Sequence, residues 1–263
     1  MGPPRTRLGR ARGLAAKLFT RGVSGDAYEV GRVAGLWRYP VKSMAGEALA
    51  DVEVSWHGLA GDRRWAFVRE GMVRSDFPWL TIRERAQMWH YLPSFAEPER
   101  PDDSPTLVAT PGGDRFDVAD PALAAELGEG VTLIKQGRGA FDAMPLSLIS
   151  AQSVTGLAAL TGLDLGPERF RPNLLIDTGG DGFPEDEWVG AVLEIGGFAM
   201  RVDQRDQRCV MINIDPASAV RDATVLRTLA RSRDAFIGVY GSTVTPGRVA
   251  LGDPVRIVAA GDR

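Results

Sequence analysis

A mainly β fold is predicted for this chain by three observations. Short runs rich in Val, Ile and aromatic residues recur along it, separated by Gly, Pro and Asp turns. Ile195-Gly196-Gly197-Phe198 is a two-residue hairpin signal, because two glycines tolerate positive φ. Helical patterning is confined to a few short stretches.

In chain order the predicted strands are Glu29–Tyr39, Asp51–Trp56, Arg64–Arg69, Gln87–Leu92, Thr106–Ala109 and Val131–Lys135. They continue with Asn173–Asp177, Ala191–Ile195, Phe198–Asp203, Cys209–Ile214, Ala235–Tyr240 and Val255–Ala259. The clearest helix is Ala151–Thr161. Ser150 can cap its first turn, and Gly162 can end it in a left-handed conformation. Shorter helices are predicted near Pro121–Leu127 and Ala223–Ala230. Ala96–Ser104, rich in Pro, Asp and Glu, reads as a loop, and a softer boundary falls at Gly137–Ala143. The expected organisation is a basic arm over residues 1–27, a β-rich region over 28–135 and a second over 136–263.

The basic arm holds Arg5, Arg7, Arg10, Arg12, Lys17 and Arg21, with no acid before Asp26. Leu8, Ala11, Ala15, Leu18 and Phe19 recur at roughly helical spacing, so an amphipathic helix on an anionic surface, a targeting segment and a disordered arm are all open readings. It makes a poor secretory signal, lacking a long apolar core and a small-residue cleavage site.

A net charge of −3 gives no reason to expect a nucleic-acid partner. No apolar run approaches the ~20 residues that span a bilayer. The chain has one cysteine, so there is no disulfide framework. A reducing, cytoplasmic setting is the expectation. All cationic residues but Lys17, Lys42 and Lys135 are arginines, which makes each lysine informative.

No G-x-G-x-x-G, G-x-x-x-x-G-K-[ST] or G-x-S-x-G motif is present, which argues against Rossmann, P-loop and α/β-hydrolase sites. His57 and His90 adjoin Trp56 and Trp89 and read as packing or hydrogen-bonding residues. The acidic stretch Asp177–Glu187 lacks EF-hand spacing and reads as a solvated loop.

Cys209, within Asp206-Gln207-Arg208-Cys209-Val210, cannot form a disulfide or a Cys-rich metal site alone. It is either a small buried apolar residue or a functional thiolate. Nearby Arg205 and Arg208 favour the anion. Elsewhere cations gather with hydroxyls and an amide. Tyr39-Pro40-Val41-Lys42-Ser43 follows one strand, and Gly61-Asp62-Arg63-Arg64-Trp65 precedes another. Leu80-Thr81-Ile82-Arg83 and Phe170-Arg171-Pro172-Asn173 add two more arginines. Such groups at strand ends suit phosphate or another polyanion, with Lys42 as a compact point charge.

These segments, in this order and with Arg208-Cys209 and Asp215-Pro216, resemble the MOSC family, named for the C-terminal domain of molybdenum cofactor sulfurases. The likeness runs from about Val33 to Val258 and is closest to the amidoxime-reducing branch, which has an N-terminal MOSC β-barrel region. It implies a mainly β, MOSC-type β-barrel with an associated N-terminal β-rich region and a few helices. It also implies a bound molybdenum cofactor, a molybdopterin carrying Mo. Cys209 matches the molybdenum ligand. Lys42 and Arg63 match cations facing the pterin and its phosphate. Ser43, Thr81, Arg83, Arg171, Asn173 and Arg208 match the rest of the shell. Asp215 is expected near the metal, as proton donor or structural anchor.

The activity implied is reduction of N-hydroxylated compounds, N–OH to N–H plus water. One cysteine and no nucleotide motif point to electrons from an external ferredoxin- or flavoprotein-type partner. No aminotransferase-type domain precedes the likeness, so a pyridoxal phosphate-independent protein is expected, and no cysteine-rich ferredoxin-like domain follows it. The competing reading is a carrier of molybdenum cofactor or sulfur, with Cys209 as persulfide or transient ligand. Retention of Lys42 and Arg63 favours the reductase.

Overall fold

The computed structural model describes residues 27–72, 75 and 77–258. The predicted basic arm lies outside these residues but for Ala27.

Seven strands close into a barrel: β1 (Tyr28–Arg38), β2 (Leu146–Ser150), β3 (Leu174–Asp177), β4 (Val192–Ile195), β5 (Phe198–Gln207), β6 (Phe236–Thr245) and β7 (Pro254–Val258). Their order is β3-β2-β6-β5-β4-β7-β1, and β1 pairs back onto β3. Closure leaves no open edge in this ring. All pairings are antiparallel except β2–β3, where Leu148 lies opposite Leu174.

Three helices are present among the described residues: α1 (Pro121–Leu127), α2 (Ala151–Thr161) and α3 (Thr224–Arg233). The parallel return from β2 to β3 runs through α2, as parallel pairing requires a long crossover. Ser150 caps α2 by accepting from the Ser153 N–H at 3.0 Å, and Gly162 ends it with φ 70°. Both caps follow the sequence expectation.

The barrel is filled by alternate, inward side chains. Leu148, Leu174, Leu193, Met200, Val202 and Val239 are among those fully buried. Burying each contributes about 1.5–3 kcal/mol. A second core, around Phe67, Ile82, Met88, Val108 and Leu127, binds the N-terminal region together. There Trp65–Arg69 pairs with Val131–Lys135, and Leu92–Phe95, Thr106–Ala109 and Arg115–Asp117 form a meander. Ile214 joins this second core from the C-terminal half, and Asp51–Ser55 pairs with Gly247–Ala250. A third core packs α2 and α3 on the barrel through Leu157, Leu229 and Ile237.

The mainly β class with a few helices is therefore the observed one, and the Ile195–Phe198 hairpin joins β4 to β5. Several elements depart from expectation. Gln87–Leu92 and Cys209–Ile214 are largely short 3-10 turns, Ala86–His90 and Val210–Asn213. β2 and the strand Gly247–Ala250 were not anticipated. Trp56 and His57 are exposed rather than packed, while the ring Nε2 of His90 meets the Ala217 carbonyl at 3.1 Å. The acidic stretch is not simply solvated. Glu185 is buried and accepts from the Ser150 hydroxyl at 2.6 Å, and Asp186 pairs with Arg205 and Arg233. No helix among the described residues is long and apolar enough to cross a membrane.

Candidate functional site

The chain leaves β1 through Tyr39-Pro40 and turns at Ser43, whose φ is 68°. The Lys42 N–H donates to the Trp65 carbonyl at 2.8 Å, which ties this turn to Gly61-Asp62-Arg63 just upstream. Gly61 has φ 77°, and a Cβ there would stand 2.7 Å from Pro101 and 2.9 Å from the Phe95 ring. Only glycine fits both demands. Asp62, buried, is the hub of the turn. It accepts from the Tyr39 N–H at 2.7 Å and from the Asn173 amide at 3.1 Å, and it pairs with Arg63.

Asn173 extends the hub. Its amide also donates to the Trp37 carbonyl at 3.2 Å, and its oxygen accepts from the Ser147 N–H at 3.2 Å. Arg171 donates to the Met44 carbonyl at 2.7 Å and stacks over Tyr39 and Trp89, at 4.2 and 4.8 Å from the ring centroids. Burial pushes its guanidinium down to about 10, and Tyr39 works against that shift. Burial also works against charge on Arg63, but the adjacent Asp62 outweighs it and raises Arg63 above its ordinary value.

Six non-glycine residues among those described have positive φ, and Ser43, Arg63 and Arg171 are three of them. Left-handed backbone costs energy at non-glycine residues and concentrates where a site demands a particular side-chain aim. All three line one cavity of about 680 Å³, together with Lys42, Arg83, Asn173, Arg208 and Cys209. Ligand pockets fall in this size range. Seven cationic side chains against four carboxylates line it, so the cavity favours an anion.

Cys209 caps the short 3-10 turn at the end of β5 and is half-buried. Arg83 donates to its sulfur at 3.4 Å. Arg208 is held by the Ile237 and Phe170 carbonyls at 2.8 and 2.7 Å. Lys42 is already engaged. Its ammonium donates to the Ala140 carbonyl at 2.7 Å and pairs with Asp142. Burial lowers its pKa, and Asp142 opposes that shift. Burial would raise the Asp142 carboxyl, yet Lys42, Arg83 and Arg63 hold it below its ordinary value.

Of the residues singled out from the sequence, Thr81 and Asp215 are not in the cavity wall. Thr81 is buried, and its hydroxyl accepts from the Arg83 N–H at 3.3 Å, so it shapes the loop carrying Arg83. The Asp215 carboxylate accepts from the N–H groups of Ala217 and Ser218 and the Ser218 hydroxyl, and it pairs with Arg169 at 2.7 Å. Those hydrogen bonds hold its pKa below the ordinary value. Of its two expected roles, the contacts favour structural anchor over proton donor. Arg64 faces away, toward Asp102 and the Gly137 carbonyl.

Sequence reasoning passed over Asp142, Arg169, Asp206 and Tyr240, all of which line the cavity. Asp206 is 1% exposed, and burial pushes its carboxyl up to about 6 against the pull of Arg208. Its place three residues before the only cysteine was the available signal.

Among the described residues no cluster of three or more His, Cys, Asp or Glu is placed to hold a metal. Four buried nitrogens and a hydroxyl in the cavity-lining set have no hydrogen-bond partner: Arg83 Nε, Arg169 Nε, Arg171 Nη2, Arg208 Nη2 and Ser147 Oγ. Such unpartnered donors call for a ligand or water.

Residues 30–135 match the MOSC N-terminal beta barrel domain, and residues 135–256 match the MOSC domain. Molybdenum cofactor sulfurase from Drosophila grimshawi is 28% identical over 268 residues, which is 84% of this chain but 34% of that protein. The chain thus spans about a third of the length of that sulfurase. Mitochondrial amidoxime reducing component 2 from Bos taurus is 25% identical over 295 residues, 86% of this chain and 83% of that protein. Among solved structures, the YuaD protein from Bacillus subtilis aligns over 88% of this chain and 98% of its own, with a TM-score of 0.49 and 13% identity.

Proposed function

Because this chain belongs to the MOSC family, we propose that it is a molybdenum-cofactor-dependent oxidoreductase that reduces N-hydroxylated compounds with electrons from a separate protein. One observation carries the reading. A cavity rich in unpartnered cationic donors has a single thiol in its wall, with an arginine against the sulfur. The similarity to an amidoxime reducing component over most of both chains supports the same direction.

The donor set fits such a cofactor. A phosphate would be held by Lys42, Arg63 and Arg171, with Ser43 and Asn173 beside them. Cys209 would contribute a soft thiolate to a metal that brings its other sulfur ligands with it. The cofactor, when bound, supplies the two-electron redox chemistry. This chain's residues do the rest. The Asp62 hub fixes the aim of Arg63 and Asn173. Arg83 donates to the sulfur and fixes where it sits in the wall. Phe141, Met144 and Phe236 provide apolar surface for the substrate's carbon skeleton.

The test is turnover of benzamidoxime by protein purified from a cofactor-competent host. With reduced viologen as donor, benzamidine should form. With NADH and no second protein, none should. Turnover from NADH by the pure chain would refute the external-donor scheme. Molybdenum-loaded protein that is inactive with viologen would favour the carrier reading, in which Cys209 takes up a persulfide.

A further inference from the structure

We propose that Asp206 gives a proton to the departing oxygen when an N-hydroxylated substrate is reduced in this cavity. The inference rests on the reductase reading and assigns that reaction's acid.

The geometry begins with a slip in the β5–β6 ladder. Arg205 pairs with Val239, but Gln207 pairs with Phe236, so two residues of β6, Ile237 and Gly238, stand opposite the single Asp206. Irregularities of this kind re-aim side chains. Gly238 makes the local approach feasible. It has φ 77°, and a Cβ there would lie 2.9 Å from both the Leu148 carbonyl and Arg208 Nη2. The result is a carboxyl 1% exposed that nonetheless lines the cavity. Its Oδ2 stands 2.9 Å from Arg208 Nη1 in a buried ion pair that lacks hydrogen-bond directionality.

The groups around it suit proton donation. Tyr240, opposite Gln204 on β6, hydrogen-bonds the carboxyl and lowers its pKa, as does Arg208. Both stabilise the anion that remains once the proton has gone. Across the cavity, Asp142 raises the value and Arg63 lowers it. Desolvation outweighs these charges and leaves the acid poised near 6, so it carries its proton in mildly acidic solution and loses it progressively above that. Asp215, the acid noted from the sequence, is saturated with hydrogen bonds and lies outside the cavity wall.

The step balances. The external reductant would supply two electrons, with the cofactor providing the redox chemistry. The substrate N–O bond breaks. The Asp206 proton joins the hydroxyl oxygen, which leaves as water. A second proton, from solvent, forms the new N–H bond, and solvent reprotonates the Asp206 carboxylate.

The test uses loaded wild type and Asp206→Asn with reduced viologen and benzamidoxime, from about pH 5 to about pH 9. Wild-type kcat should fall roughly tenfold per pH unit above about 6. Asp206→Asn should lose about 10²- to 10⁴-fold in kcat and lose that pH limb, with KM and molybdenum content unchanged. An alkaline limb that persists in Asp206→Asn overturns the assignment and leaves the reductase reading standing. No wild-type turnover at full loading overturns the reductase reading, and the assignment with it.

A second readout needs no turnover. The Asp206 value is raised from 3.8 to about 6 on folding, so the folded chain binds the extra proton within that window. Wild type therefore loses stability as pH rises through it, whereas Asp206→Asn does not. The melting temperature of the cofactor-free variant should rise relative to wild type from about pH 4 to about pH 6, then level off. A gap that does not change with pH overturns the buried acid and the proposal.

Discussion

At the scale of single residues, the site is a contest for Lys42. Its ammonium is buried among the Ala140 carbonyl, Asp142 and aromatic rings, so the phosphate proposed to bind there would have to share or displace Asp142. Lys42→Glu would set two carboxylates side by side. A buried charge-assisted contact contributes about 1.5–3 kcal/mol, so cofactor occupancy should drop roughly ten- to a hundredfold. Asp142→Asn keeps the shape and removes the competing charge, so occupancy should hold or rise. Molybdenum and pterin per chain, measured by mass spectrometry and pterin fluorescence, check both. Full loading of Lys42→Glu would put the phosphate elsewhere. Arg64 offers no rescue for Arg63, because it is turned toward Asp102. The cations, Ser43 and Asn173 were legible because lysine is rare here and the motifs cluster hydroxyls with guanidiniums. Asp142 and Asp206 were not. An acid in so charged a chain reads as solvated surface, and only a register slip in a distant pairing buries Asp206.

At the scale of elements, the turn at Gly61 holds the cation shell in place. Gly61→Ala would meet Pro101 and Phe95 at under 3 Å and force a positive φ on a Cβ residue. Overpacking of this kind costs about 1–3 kcal/mol. For a chain of this size that corresponds to a melting-point loss of roughly 2–10 °C. The shift should be larger in loaded than in cofactor-free protein, because Asp62 and Arg63 move with the turn. Calorimetry on both forms checks it, and an unchanged melting point would show the turn to be tolerant. Thr106–Ala109, Val131–Lys135 and Ala151–Thr161 were legible to the residue, since flanking turns and caps mark their ends. β2 was missed because every one of its residues is buried and it runs directly into α2, which leaves neither alternation nor a turn to read. Cys209–Ile214 looked like a strand for its apolar content, yet Cys209 caps a single 3-10 turn.

At the scale of the molecule, function depends on long-range closure. β1, the first described strand, pairs with β7 and β3 and completes a barrel otherwise made of strands beyond residue 145. The Lys42 turn, which follows β1, is thereby set against the Cys209 turn, which follows β5. Nothing local in the sequence encodes that pairing; the ordered motifs conveyed it only through their family resemblance. The seated thiol is tested most directly by X-ray absorption at the molybdenum edge, with Mo(V) electron paramagnetic resonance, on loaded wild type and Cys209→Ser. The variant should keep its pterin, lose one sulfur from the metal's ligand shell, change its Mo(V) signal and lose turnover. An unchanged sulfur count with wild-type signal and activity would contradict Cys209 as the ligand that ties this cavity to the metal.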